Sequence, residues 1–255
     1  MGNPSLSVVI VTRNRLDKLK RCLDSVRQKM PFAQVIVVDN GSNDGTVEYL
    51  KKRSDITSLF LPKNIGVAAG RNAGIERTTG DFVMFLDDDA WIGELNMTHI
   101  VDYFSLKPKV ALVAPRILYP DGRLQESIRR FPTLSFILRR GLVSFHLLRS
   151  TKGYEKHLEH DTTRMHLIDW AIGACLIIRR DVFQRIGLFD GKFFSVYDDV
   201  DFCLRLRKKD LTAIYWPDAT VYHEYSRTST KGFNISLLRH IRSVFRYFIK
   251  SALNY

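Results

Sequence analysis

Phe82-Val83-Met84-Phe85-Leu86-Asp87-Asp88-Asp89 decides the fold, because an apolar run of strand length passes straight into three consecutive carboxylates. A short apolar run without alternation reads as a strand covered on both faces. Three carboxylates at its end crowd like charges at a sheet edge, which is costly unless a cation sits among them. Oxygen ligands suit Mg²⁺ or Mn²⁺, and both commonly bridge to phosphates. Open α/β sheets bind ligands beyond the C-terminal ends of their strands. The stretch therefore predicts a metal-held phosphate at this strand end. A solvated acidic loop is the plainer alternative.

Working outward, the rhythm is strand, helix, strand. Apolar runs at residues 6–11, 35–38, 56–61 and 110–114 read as further strands, and residues 16–28, 46–52 and 67–77 as helices between them. Such alternation predicts an α/β fold with a mostly parallel, Rossmann-like central sheet flanked by helices. Residues 116–164 break the rhythm with Pro120, Pro132 and scattered basic residues, among them Phe136, Ile137, Arg139, Arg140, Phe145 and Leu147 in mixed apolar and basic order. Asp121-Gly122 reads as a hairpin turn. Order returns in the apolar stretch 167–178, helices at 181–186 and 200–208, and short strands at 213–216 and 220–222. The expected organisation is one domain over 1–229, in two halves, 1–115 and 116–229, followed by a basic amphipathic helix over 230–255.

Composition narrows the classes. The chain has 255 residues and a net charge of +12. Residues 225–255 contain no Asp or Glu but include Arg227, Lys231, Arg239, Arg242, Arg246 and Lys250, so half of the excess lies in the last segment. No run approaches the roughly 20 apolar residues of a membrane span, and the N-terminus lacks a signal-peptide pattern. Cys22, Cys175 and Cys203 are widely spaced and form no CxxC, which predicts reduced packing residues in a cytosolic protein. GxGxxG and GxxxxGK[ST] are both absent.

The loop tips after the strands should converge on one cleft. The first carries Thr12, Arg13 and Asn14, the second Asp39, the third the segment 64–74 with Arg71, and the fourth Asp87, Asp88 and Asp89. Asp39 can accept from a base or ribose, or cap the next helix. Gly66, Gly70 and Gly74 can simply allow close helix packing. A second acidic cluster, Asp198-Asp199 with Asp201, precedes a helix, where capping is again an alternative. Two acidic loops suggest division of labour, one holding a metal and the other offering a base to an incoming hydroxyl. His223 could complete the metal shell or be structural.

Together these pieces resemble glycosyltransferase family 2 of the GT-A fold: SVVIVTRNR (7–15), VIVVDNGSNDGT (35–46), NIGVAAGRNAGI (64–75), FVMFLDDDAW (82–91), WAIGACLIIRRDVF (170–183), IGLFD (186–190), YDDVDFCLRLRKKD (197–210) and VYHEYSRTS (221–229). The bacterial rhamnosyltransferase-like branch is the most similar. The resemblance implies that Thr12, Asn14, Asp39 and Arg71 hold the base and its surroundings, that Asp87 and Asp88 lie by the nucleotide and its ribose, and that Asp89 with His223 binds Mn²⁺ or Mg²⁺. It implies Asp199 as the base with Asp198 beside it, and Trp170 and Gly173 on the acceptor side. Family members often carry Glu-Asp where this chain has Asp198-Asp199, which leaves open which of the two is the base. The implied donor is a dTDP- or UDP-sugar, with dTDP-rhamnose the specific expectation. The implied acceptor is a cell-envelope glycan or a lipid-linked one, at the inner face of the cytoplasmic membrane.

The tail has Leu237, Leu238, Ile241, Val244, Phe245, Phe248 and Ile249 at helical spacing, with basic residues between. Such a helix either lies on an anionic membrane or packs on the core or on a second copy in a homo-oligomer. A nucleotidyltransferase is the competing enzyme reading. A nucleic-acid-binding protein would explain the charge, but no nucleic-acid-binding motif is present.

Overall fold

A computed structural model describes residues 5–133, 135, 162–225 and 235–252. The four early apolar runs form β1 (Leu6–Thr12), β2 (Gln34–Asp39), β3 (Thr57–Phe60) and β4 (Phe82–Leu86). They pair in parallel in the order β3-β2-β1-β4, with Val8 opposite Val35 on one side and Met84 on the other. The connecting helices are α1 (Leu16–Lys29), α2 (Thr46–Lys51) and α3 (Val67–Ile75).

Beyond β4 the sheet becomes mixed. β5 (Ala90–Ile92), α4 (Met97–Leu106), β6 (Val110–Leu118), β7 (Ile128–Arg129), β8 (His166–Ile168), β9 (Trp170–Ala171) and β10 (Cys175–Arg179) follow, then α5 (Asp181–Ile186), α6 (Asp198–Lys208), β11 (Thr212–His223) and α7 (Ile235–Ala252). The sheet continues β4-β10-β6-β11-β5. β10 is antiparallel to both of its neighbours, and β11 is parallel to β6 but antiparallel to β5.

The sheet separates two apolar layers, as covering on both faces requires. Val9, Val83, Phe85, Leu176 and Ile178 face Val182 and Phe202 from α5 and α6. Val8, Ile10, Met84, Leu86 and Ile177 face Leu19, Leu23 and Val26 of α1 and Ile100 and Phe104 of α4. All three cysteines are buried and unpaired.

The structure refines several sequence expectations. α4 lies in a stretch to which the sequence reading assigned no element. Its signals were Asn96, whose side chain accepts from the His99 N–H, and the i, i+4 pair Ile100 and Phe104. The two short strands expected over 213–222 are one strand, β11, with a register shift between Trp216 and Thr220 that resembled a break in sequence. Gly70 and Gly74 serve packing, since a Cβ would lie 2.8 Å and 2.4 Å from Val11 and Val9 side-chain carbons of β1. Asp121-Gly122 does turn the chain, with Gly122 at φ +84°. Phe136, Ile137, Arg139, Arg140, Phe145, Leu147, Arg227 and Lys231 lie outside the described residues.

Candidate active site

The three aspartates form a turn out of β4. Asp87 N–H donates to the Ala174 carbonyl at the start of β10, and Ala90 N–H returns to the Asp87 carbonyl. The chain then enters β5, whose Ala90 is in register with His223 at the end of β11. This pairing explains why a histidine 134 positions downstream of Asp89 reaches the acidic turn. His223 Nε2 lies 3.2 Å from Asp89 Oδ1 and 3.9 Å from Asp87 Oδ2.

Ligand atoms of Asp87, Asp89 and His223 all lie within 4.8 Å of one another. Burial works to lower the His223 pKa, but its bond to Asp89 and the charges of Asp87 and Asp89 carry it above the usual value. Burial works to raise Asp89, yet the same bond, with His223, Arg15 and Lys18 charges, holds it below the usual carboxylate range. Two carboxylates suit Mg²⁺ or Mn²⁺, and the imidazole favours the softer Mn²⁺. Sequence reading expected Asp89 and His223; the structure adds Asp87. It also adds Gln125, whose Oε1 lies 2.8 Å from His223 Nδ1. With Gln125 as acceptor, Nδ1 carries the hydrogen and Nε2 faces the carboxylates. Gln125→Leu is expected to weaken Mn²⁺ binding roughly tenfold in calorimetric titration while Asp87, Asp89 and His223 stay in place.

Basic residues from the start of α1 line this turn. Arg15 Nη1 bonds Asp88 at 3.1 Å and Asp89 at 2.8 Å, and Lys18 Nζ stands 4.0 Å from Asp89. Neither was singled out from sequence, although Arg15, Lys18 and Arg21 recur every third residue along one helix face. Asp88 also accepts from Thr12 Oγ1 at 2.8 Å. Its burial outweighs Arg15 and pushes its pKa up to about 6.

The first two loop tips are stitched together. Asn14, at φ +52°, accepts from the Asn43 N–H and donates its own N–H to Ser42 Oγ. Asp39 Oδ2 accepts from the Ser42 N–H, while its buried Oδ1 has no partner. A buried carboxylate oxygen without a donor is costly, and it is a natural acceptor for a ligand N–H.

Arg71, expected beside a base or phosphate, is engaged by the two acidic loops. It is 5% exposed and donates from Nη1 to Asp198 at 2.9 Å and from Nη2 to Asp87 at 3.2 Å and to the Gly173 carbonyl at 2.7 Å. Its fork thus joins the two acidic loops. Gly173 is the floor under it: a Cβ there would lie 2.5 Å and 2.6 Å from the two guanidinium nitrogens. Gly173 also donates its N–H to Asp199 Oδ2 at 3.0 Å, and Val200 N–H donates to Asp199 Oδ1. Partial burial and the neighbouring Asp198 charge nevertheless push the Asp199 carboxyl up to about 7. Trp170 lies nearby on β9, half-buried, its Nε1 donating to the Arg130 carbonyl.

The chain has counterparts among known proteins. The family profile for Glycosyl transferase family 2 matches residues 7–187. An N-acetylglucosaminyl-diphospho-decaprenol L-rhamnosyltransferase of Mycobacterium tuberculosis is 28% identical, over 94% of this chain and 82% of its own. The rhamnosyltransferase WbbL of Escherichia coli K12 is 23% identical, over 96% and 93%. Among solved structures, GalNAc-T7 with UDP, GalNAc and Mn²⁺ superposes with TM-score 0.68 at 17% identity, covering 96% of this chain and 48% of that one. The mannosyltransferase PcManGT of Pyrobaculum calidifontis, with GDP-Man and Mn²⁺, superposes with TM-score 0.63 at 18% identity, covering 99% and 65%. The chain therefore spans about half to two thirds of those structures, and the fold it shares with them is GT-A.

Proposed function

The chain belongs to glycosyl transferase family 2, and from that premise we propose that it moves a sugar, with inversion, from a nucleotide-diphosphate donor to a hydroxyl of a glycan or lipid-linked acceptor, using a divalent cation. The observation that carries this reading is the Arg71 bridge, which sets the acidic turn at Asp87 and the Asp198-Asp199 loop on opposite sides of one guanidinium. Metal chemistry and base chemistry would thereby act side by side.

Asp87, Asp89 and His223 would hold the cation, with Mn²⁺ in the two solved relatives as support. When bound, it neutralises charge on the departing diphosphate. Arg15 and Lys18 stand beside the same carboxylates and would meet the diphosphate directly. The orphaned Oδ1 of Asp39 would accept a base N–H, and Asp88, steadied by Thr12, would face the ribose. Asn14 would keep the first two loops in register beneath the nucleotide.

On the other side, Asp199 would take the proton of the acceptor hydroxyl. The acceptor oxygen then bonds to the anomeric carbon as that carbon's bond to the diphosphate oxygen breaks, with the electron pair leaving on the nucleoside diphosphate. One base suffices for a single displacement, and alignment supplies much of the rate. Asp198 is engaged by Arg71, which favours Asp199 as the base. Trp170 would flank the acceptor. The rhamnosyltransferase relatives support rhamnose as the sugar and a polyprenyl-diphosphate glycan as one acceptor type.

A panel of nucleotide sugars with Mn²⁺, Mg²⁺ or chelator tests the reading. Nucleoside diphosphate should be released from one donor, with a roughly hundredfold loss under chelation, and Asp89→Asn should bind Mn²⁺ roughly a hundredfold more weakly. Undiminished turnover in chelator would remove the cation from the scheme. Pyrophosphate release from a nucleoside triphosphate would identify a nucleotidyltransferase instead.

A further inference from the structure

α7 uses only part of its circumference to hold the fold. Tyr247 and Ser243 are buried, and Val244 and Phe248 pack against the layer under α6. Arg246 and Lys250 anchor the same side through Asp190 at 2.6 Å and 2.9 Å, and Lys250 also reaches Asp201. Tyr247 and His240 contact Tyr197, the residue immediately before Asp198. The helix is thus seated on the half of the protein that carries the proposed base.

Its opposite side is a stripe of Leu238, Ile241, Phe245 and Ile249, spaced by three, four and four residues and 60%, 41%, 66% and 60% exposed. Among the described residues, the other exposed large apolar side chains form no comparable stripe along a helix. Arg242 shares this outer face, and among the described residues it has no acidic partner. No acidic residue occurs from 225 to 255.

We propose that the Leu238–Ile249 stripe docks the protein on an anionic lipid surface, with the apolar side chains entering the headgroup boundary and Arg242 meeting lipid phosphates. Charge selects this occupant. A contact between two copies through this stripe would cover Arg242 with no carboxylate on either copy's helix to neutralise it. An anionic membrane instead supplies countercharge to Arg242 and to the +12 chain as a whole. No described helix is long and apolar enough to cross a membrane, so the contact is in the plane of the interface.

Flotation of the full chain with phosphatidylcholine vesicles, with and without phosphatidylglycerol, tests this without any sugar transfer. Binding is expected only with phosphatidylglycerol and should weaken as salt rises. The double variant Phe245→Glu/Ile249→Glu should lose on the order of a hundredfold in vesicle affinity, and Arg242→Glu roughly fivefold to tenfold, with thermal unfolding unchanged. The single Arg242→Glu variant preserves the test should the double variant misfold. Equal binding to phosphatidylcholine alone, unaltered binding by Arg242→Glu, or a concentration-dependent dimer that Phe245→Glu disperses would each overturn the assignment, the last in favour of a contact between copies.

Discussion

Asp199→Asn is expected to lower transfer by about a thousandfold, within the roughly 10²- to 10⁴-fold span of removing a positioned general base, while nucleoside diphosphate and Mn²⁺ bind as before. The substitution preserves size and leaves one carbonyl oxygen to accept from Gly173 or Val200 N–H, so the loop should hold. The pH profile gives the sharper test. Burial, and then the neighbouring Asp198 charge, push the Asp199 carboxyl up to about 7. Only its ionised form can take a proton. Transfer should therefore rise with pH up to about 7 and level above it, and the variant should lose that limb. Asp198→Asn removes a like charge beside Asp199 and frees Arg71 to favour the ionised form. Its acid limb should accordingly move to lower pH with activity retained in part. If Asp198→Asn abolished the limb and Asp199→Asn kept it, the two roles would be exchanged.

Legibility in the sequence followed the range of the interaction. β4 and the aspartates after it were readable because five apolar residues ending in three carboxylates permit few arrangements. The strands of the parallel half were readable for the same local reason. Antiparallel insertion of β10 between β4 and β6 was not, since a buried central strand is a continuous apolar run in either direction. The approach of Asp87 and Asp89 to His223 depends on β5 turning away to pair with β11, a long-range choice. Gln125 has no local signal at all: it sits between Leu124 and Glu126 in a loop, and only its distance to His223 identifies it. Arg15 and Lys18 were legible as a basic helix face, but their target was not. Arg71 shows the limit most clearly. A lone arginine on an Ala- and Gly-rich helix gives no local sign of its partners, which are two aspartates, 16 and 127 positions away in sequence.

Arg71→Met should be the most destabilising change near the cleft. The guanidinium is almost wholly buried beside the touching rings of Phe85 and Phe189, with centroids 5.7 Å and 5.6 Å away. Its removal strips the countercharge from Asp198, which is itself buried, and from Asp87. Breaking a buried pair from one side costs about 3–5 kcal/mol, because the remaining charge loses its partner and stays out of water. Denaturant unfolding should show a loss of that order. Arg71→Lys should recover little, since one ammonium cannot span Asp198, Asp87 and the Gly173 carbonyl as a planar fork does. The double variant Arg71→Met/Asp198→Leu separates stability from function. With no charge left stranded at position 198, most of the lost stability should return. Transfer should not, because the guanidinium link from the Asp198-Asp199 loop to Asp87 and the Gly173 carbonyl is still missing. A double variant that regained both would show that the bridge serves folding alone; a single variant as stable as the parent would show that the bridge is not buried in solution.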